Sequence, residues 1–80
     1  MPYYAYVIFS DRYQRYYKGH CEDLDKRIHW HELGKTRTTK AFRPWRLVYF
    51  ERFETRMEAI RREKYFKTAA GRRYLKRKIG

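Results

Sequence analysis

The run from Tyr3 to Ser10, YYAYVIFS, places Tyr4, Tyr6 and Ile8 on one face of an extended chain and Tyr3, Ala5, Val7 and Phe9 on the other. Both faces are apolar enough for a central strand, paired at both edges and covered on both sides. Asp11 ends the run, and after the polar stretch DRYQ the segment Arg15 to Gly19 can return as an antiparallel partner. A short-hairpin register then brings Tyr17 near Tyr6. RLVYFE, from Arg46 to Glu51, reads as a third strand.

The remaining segments carry helix punctuation. Asp23 is a suitable N-cap for a helix from Leu24 to Leu33, and Gly34 stands where a left-handed C-terminal cap is wanted. Leu24, Ile28 and His31 form its inward stripe, with Arg27 beside them one turn before His31. Thr55 and Glu58 make a T-x-x-E capping box for a helix running to about Lys67. Between these helices, GKTRTTKAFRP from Gly34 to Pro44 has no period and carries four basic residues, so a surface loop is expected. Ala69 to Gly71 reads as a break, followed by a short basic helix from Arg72 to Ile79.

Eighty residues make one small domain, 1–80, which buries only roughly 60% of its unfolded surface. Ile, Leu and Val together number ten against nine tyrosines, so tyrosines supply much of the core, with their hydroxyls at its edge. The 21 Lys and Arg outnumber the 9 Asp and Glu, for a formal charge of +12. On one small domain this makes a polyanion, above all nucleic acid, the expected partner. A lone Cys21 makes no internal disulfide, and no charged-then-apolar leader precedes the first tyrosines, so a cytoplasmic setting is expected. No apolar stretch approaches the roughly 20 residues of a membrane helix, so the chain is not expected to span a bilayer. An acidic membrane surface or a ribosome-like assembly would also satisfy the charge, but a membrane is not the expected partner.

Several residues carry chemistry. His20 with Cys21, and His29 with His31, lack structural-zinc spacing, and zinc is set aside. Glu63 lies mid-arc among Ala59, Ile60 and Phe66, so a carboxylate falls on an apolar helix face. Two readings stand: an ion pair with a nearby Arg or Lys, or a divalent metal beside a substrate phosphate. Arg27 and His31, at i and i+4, can face one phosphate with a forked donor and a proton acceptor, or be a solvated Arg and a half-buried His. Tyr6 and Tyr17 taken alone read as core before they read as catalytic.

Together these residues resemble the GIY-YIG nuclease family, especially its small standalone bacterial members, from Tyr3 to about Lys78. Tyr4-Ala5-Tyr6 stands where the family has Gly-Ile-Tyr, and Tyr17-Lys18-Gly19 where it has Tyr-Ile-Gly. DLDKRIHWH is similar to the family's helix with its arginine, here Arg27, and the His or Tyr one turn later, here His31. RPWRLVYFERFETRMEAIRREKYFK is similar to the strand and helix that carry the metal-binding glutamate, here Glu63. Two positions depart from the pattern: Tyr4 replaces the first glycine and Lys18 an apolar residue.

The resemblance implies an α/β domain of the α+β type, a three-stranded antiparallel sheet flanked by helices in the order β-β-α-β-α with a short C-terminal helix. It implies an endonuclease that hydrolyses DNA phosphodiesters with Mg²⁺ or Mn²⁺, structure-selective or weakly specific, of a kind suited to DNA repair. Glu63 would hold the metal and Arg27 would neutralise transition-state charge. Tyr6, aided by His31, would take the water's proton, and Tyr17 would position by hydrogen bonding. Lys18 and His20, Arg37, Lys40 and Arg43 of the loop, and Arg72 and Arg73 of the tail are the expected nucleic-acid contacts. Relatives with defined targets carry further recognition domains, so a homodimer or a partner protein is the expected source of specificity. A non-catalytic nucleic-acid-binding module with the same fold is the alternative, and a basic structural protein of a ribonucleoprotein is a third reading.

Overall fold

The computed structural model describes residues 2–80. Its elements, in chain order, are β1 (Tyr3–Ser10), β2 (Arg15–Cys21), α1 (Leu24–Glu32), α2 (Arg37–Lys40), β3 (Arg46–Phe53), α3 (Arg56–Phe66) and α4 (Ala69–Ile79). The three strands form one antiparallel sheet in the order β2-β1-β3, so the segment apolar on both faces is the central strand. Ala5 and Val7 pack with Phe66 and Leu75 beneath α3 and α4, whereas Tyr6 and Ile8 pack with Cys21, Trp45 and the Leu24 and Ile28 side chains of α1. This is the expected α+β architecture, with a helical layer on each face of the sheet. Among the described residues no helix is long and apolar enough to cross a membrane.

The caps follow the sequence closely. Asp23 accepts from the Lys26 N–H at 3.1 Å, Thr55 and Glu58 close a reciprocal capping box, and Gly34 ends α1 at φ 74°. Strand ends run further than their composition suggests. β2 continues to Cys21 and β3 to Phe53, because Tyr4 pairs with Cys21 and Tyr3 with Phe53 at the far end of β1. The β1–β3 register shifts between Val7 and Ile8, and the adjacent Val48 and Tyr49 both pack on the α3–α4 side.

Two expectations are corrected. The segment from Gly34 to Pro44 is not all loop: Thr36 starts the single-turn helix α2, which buries Thr39. There is no break at Ala69 to Gly71. Thr68 Oγ1 accepts from the Gly71 N–H at 3.0 Å and α4 starts at Ala69, with Gly71 inside it. That glycine serves close packing, since a Cβ there would lie 1.8 Å from the Tyr65 carbonyl oxygen at the end of α3. The hairpin does bring Tyr17 near Tyr6, as expected: Tyr17 lies opposite Ile8, and Tyr6 opposite Gly19. The two tyrosines are diagonal neighbours on one face, with ring centroids 6.5 Å apart.

Candidate active site

Tyr6 reaches across β2 toward its edge. The path is open because residue 19 is glycine: a Cβ there would come within 2.6 Å of Tyr6 Oη. The phenol meets His31 from α1, with Oη 2.8 Å from Nε2, and the Tyr17 ring stacks edge-on against the same imidazole at 5.2 Å. Both Tyr6 and His31 are 1% exposed. Burial holds the Tyr6 phenol well above its ordinary pKa, with Tyr17, Cys21 and Glu63 adding to the rise and Arg27 opposing it. Burial and then Arg27 hold the His31 imidazole below its ordinary value, against Glu32. A neutral phenol is thus hydrogen-bonded to a neutral imidazole.

Arg27 stands four residues before His31 on α1, above the ring of Trp30 at 5.6 Å. It makes no salt bridge among the described residues and borders a cleft of about 320 Å³ lined also by Cys21, Glu22, Asp23, Lys26 and Trp30. In a chain with so few carboxylates, an Arg left unpaired at a cleft is available to an external anion. Cys21 closes the end of β2 beside it. Its thiol is pushed up to about 11 by burial, with Arg27 opposing, and is not a nucleophile at neutral pH.

Glu63 comes from the other side of the sheet edge, on α3. Lys67 Nζ donates to its Oε2 at 2.8 Å and His20 Nδ1 to its Oε1 at 2.6 Å. Burial raises the carboxyl, but these two hydrogen bonds outweigh it and keep the group below its ordinary pKa, ionised at neutral pH. The ion pair weighed for this residue therefore exists, with a lysine one turn on. The donor set still suits a hard cation, since each carboxylate oxygen retains lone-pair capacity beyond its one bond. No three His, Cys, Asp or Glu gather among the described residues. A cation here would take one protein carboxylate and fill its remaining positions with water and phosphate oxygens, as Mg²⁺ commonly does.

The expected nucleic-acid contacts divide into three groups. Lys18, half-buried on β2, shares a second cleft with Tyr16, Arg72, Leu75, Lys76 and Ile79. Burial, followed by Arg72 and Lys67, holds its ammonium below the ordinary pKa. Arg37, Lys40 and Arg73 are exposed. His20 and Arg43 are engaged within the chain, His20 by Glu63 and Arg43 by the carbonyls of Lys40 at 3.0 Å and Glu32 at 3.3 Å. Two residues escaped the sequence reading. Lys67 was visible as the i+4 partner of Glu63, but Thr39, which meets His31 Nδ1 at 2.7 Å, sits in a segment with no periodic signal.

Comparisons with known proteins bear on the family and the fold of the chain. The model of the GIY-YIG catalytic domain matches residues 2–77. A UPF0213 protein of Staphylococcus saprophyticus is 43% identical over 61 residues, 75% of this chain and 74% of its own length. The UPF0213 protein YazA of Bacillus subtilis is 43% identical over 53 residues, 65% of this chain and 54% of its own, so this chain matches only about half of that relative. In structure the chain is similar to the solution NMR structure of a UPF0213 protein from Bacillus halodurans, with 31% identity, a TM-score of 0.55, and coverage of 94% of this chain and 82% of that one.

Proposed function

Because the chain belongs to the GIY-YIG family, whose catalytic domains are of nuclease type, we propose that it is a divalent-metal-dependent endonuclease that hydrolyses DNA phosphodiesters in the cytoplasm. The observation that carries this reading is the 2.8 Å contact between Tyr6 Oη and His31 Nε2. It answers the difficulty that a neutral tyrosine is a poor base, because the phenol can take a proton from water as it passes its own to the imidazole. No phenolate is needed.

Each residue then has a task. Arg27 presents a two-pronged donor to the phosphate and neutralises the charge added in the transition state. His31 holds the proton from Tyr6, and Tyr17 packs against His31 and orders the reacting water by its hydroxyl. Mg²⁺ or Mn²⁺ supplies Lewis-acid stabilisation of the phosphate and the departing oxygen when bound. Glu63 is the carboxylate that would hold it, with His20 and Lys67 keeping that carboxylate ionised and oriented. The exposed basic residues of α2 and α4 supply affinity without sequence readout, and specificity comes from a second copy or a partner.

One observation favours a binding module instead: both oxygens of Glu63 already have hydrogen-bond donors within the chain. Incubating the purified protein with plasmid, branched DNA and RNA, with Mg²⁺, with Mn²⁺ and with chelator, separates the two. The nuclease reading expects DNA cleavage with metal and none with chelator. Tight binding with no cleavage under any metal condition would establish the module.

A further inference from the structure

His31 is engaged at both ring nitrogens: Nε2 by Tyr6 Oη at 2.8 Å and Nδ1 by Thr39 Oγ1 at 2.7 Å. A neutral imidazole carries one N–H, so the three groups can share their protons in two ways. In the first, His31 Nδ1–H donates to Thr39, the Thr39 hydroxyl donates to the Thr36 carbonyl at 3.4 Å, and Tyr6 donates to the free Nε2. In the second, the Thr39 hydroxyl donates to Nδ1 and Nε2–H donates to Tyr6. The Thr36 carbonyl then loses that donor, and the Tyr6 proton has no acceptor among the described residues, although Tyr6 is 1% exposed. Buried donors are paired in folded proteins, and only the first arrangement pairs them all.

We propose that Thr39 is a positioning residue whose hydroxyl fixes His31 as the Nδ1–H tautomer and leaves the Nε2 lone pair aimed at Tyr6. The rest of the segment holds Thr39 in place. Its carbonyl accepts from Trp45 Nε1 at 2.8 Å, its N–H bonds the Thr36 carbonyl at 3.2 Å, and the Trp45 N–H is tied to Glu32 Oε1 on α1 at 2.6 Å. Thr39 and His31 are thereby braced against the same helix end. When Tyr6 takes the water's proton, its own proton bonds to Nε2, and the imidazolium so formed keeps an acceptor at each N–H. The hydroxide oxygen bonds to phosphorus, the bond to the 3′ oxygen breaks, and that oxygen takes a proton from solvent.

The kinetic part rests on the nuclease reading, whereas the tautomer is a property of the folded chain alone. The test therefore starts with long-range ¹H–¹⁵N correlation of the imidazole nitrogens in the full chain, without metal or nucleic acid. Wild type is expected to show protonated Nδ1 and unprotonated Nε2 for His31. Thr39→Val removes the hydroxyl at similar bulk and should move His31 to Nε2–H or a mixture. Its kcat for metal-dependent cleavage should fall roughly ten- to a hundredfold with KM unchanged. Thr39→Ser should restore both readouts. A wild-type His31 protonated on Nε2 overturns the proposal, as does a Val variant with the wild-type signature or a folded Ser variant that behaves like Val. Should Thr39→Val fail to fold, the wild-type and Ser spectra decide. A tautomer that follows the hydroxyl in a chain that cleaves nothing leaves Thr39 its role and removes the nuclease reading.

Discussion

Arg27 and Glu63 approach the Tyr6 phenol from opposite sides of the β2 edge, and their environments set opposite expectations for substitution. Arg27 has no carboxylate partner among the described residues, so Arg27→Lys disturbs no internal pair. A point charge replaces a fork, and the variant should bind DNA nearly as well while losing roughly ten- to a thousandfold in kcat, read in single-turnover assays. Glu63 is held by hydrogen bonds from His20 and the Lys67 ammonium, and Glu63→Ala releases both side chains to face phosphate. Metal-dependent cleavage should vanish while binding, measured by fluorescence anisotropy, stays equal or tightens. His31 carries a prediction in pH. Arg27, Glu32, Tyr6 and Tyr17 surround it, and its depressed pKa means the unfolded chain binds more protons than the folded one. Its contribution is complete above the ordinary value of about 6.5 and is lost as pH falls from there through the folded value. Urea midpoints should decline over that window in wild type and lose that slope in His31→Gln. The Glu63 contribution disappears only at more acidic pH, below its ordinary value near 4.5.

At the level of elements, α2 and α4 show how short segments are shaped by what they must touch. α2 is a single turn, too short to form alone, and exists because Thr39, Trp45 and Glu32 tie it to the end of α1. α4 begins directly after the Thr68 cap and must pass the last turn of α3 at backbone contact. Gly71 makes that approach feasible, so a residue that lowers intrinsic helix propensity is there for packing. Gly71→Ala, which would raise propensity in an exposed helix, should instead lower stability by about 1–3 kcal/mol as the two helices are forced apart. Denaturant unfolding measures this, and an unchanged midpoint would mean that the helices separate freely.

Across the whole molecule, the charge of +12 is spread over elements that leave Arg37, Lys40, Arg72 and Arg73 exposed. DNA affinity should be largely sequence-independent, with log K falling steeply and linearly against log salt. Neutralising Arg37 with Lys40, or Arg72 with Arg73, should make that slope shallower without selective loss at any one sequence. A flat response to salt would point to a partner other than nucleic acid. Much of the interior is aromatic. With ten aliphatic side chains of the Ile, Leu and Val type, the two faces of the sheet are filled by tyrosine, phenylalanine and tryptophan, several of them edge to face.

The central strand, the N-caps and the order of Tyr6, Tyr17, Arg27, His31 and Glu63 were legible in the chain, because period, caps and motif spacing are local properties. So was the chance of a Glu63–Lys67 pair, since helical spacing is built into the sequence. That Tyr17 would lie near Tyr6 was legible from the hairpin, whereas its diagonal placement was set by the register of the strands. Gly71 was misleading, because a glycine that permits contact and one that ends a helix look alike without the neighbouring helix. Thr39 was invisible for the same reason. Its role comes from a hydrogen bond across eight residues between a helix and an aperiodic segment, and no local pattern encodes which buried hydroxyl a histidine will meet.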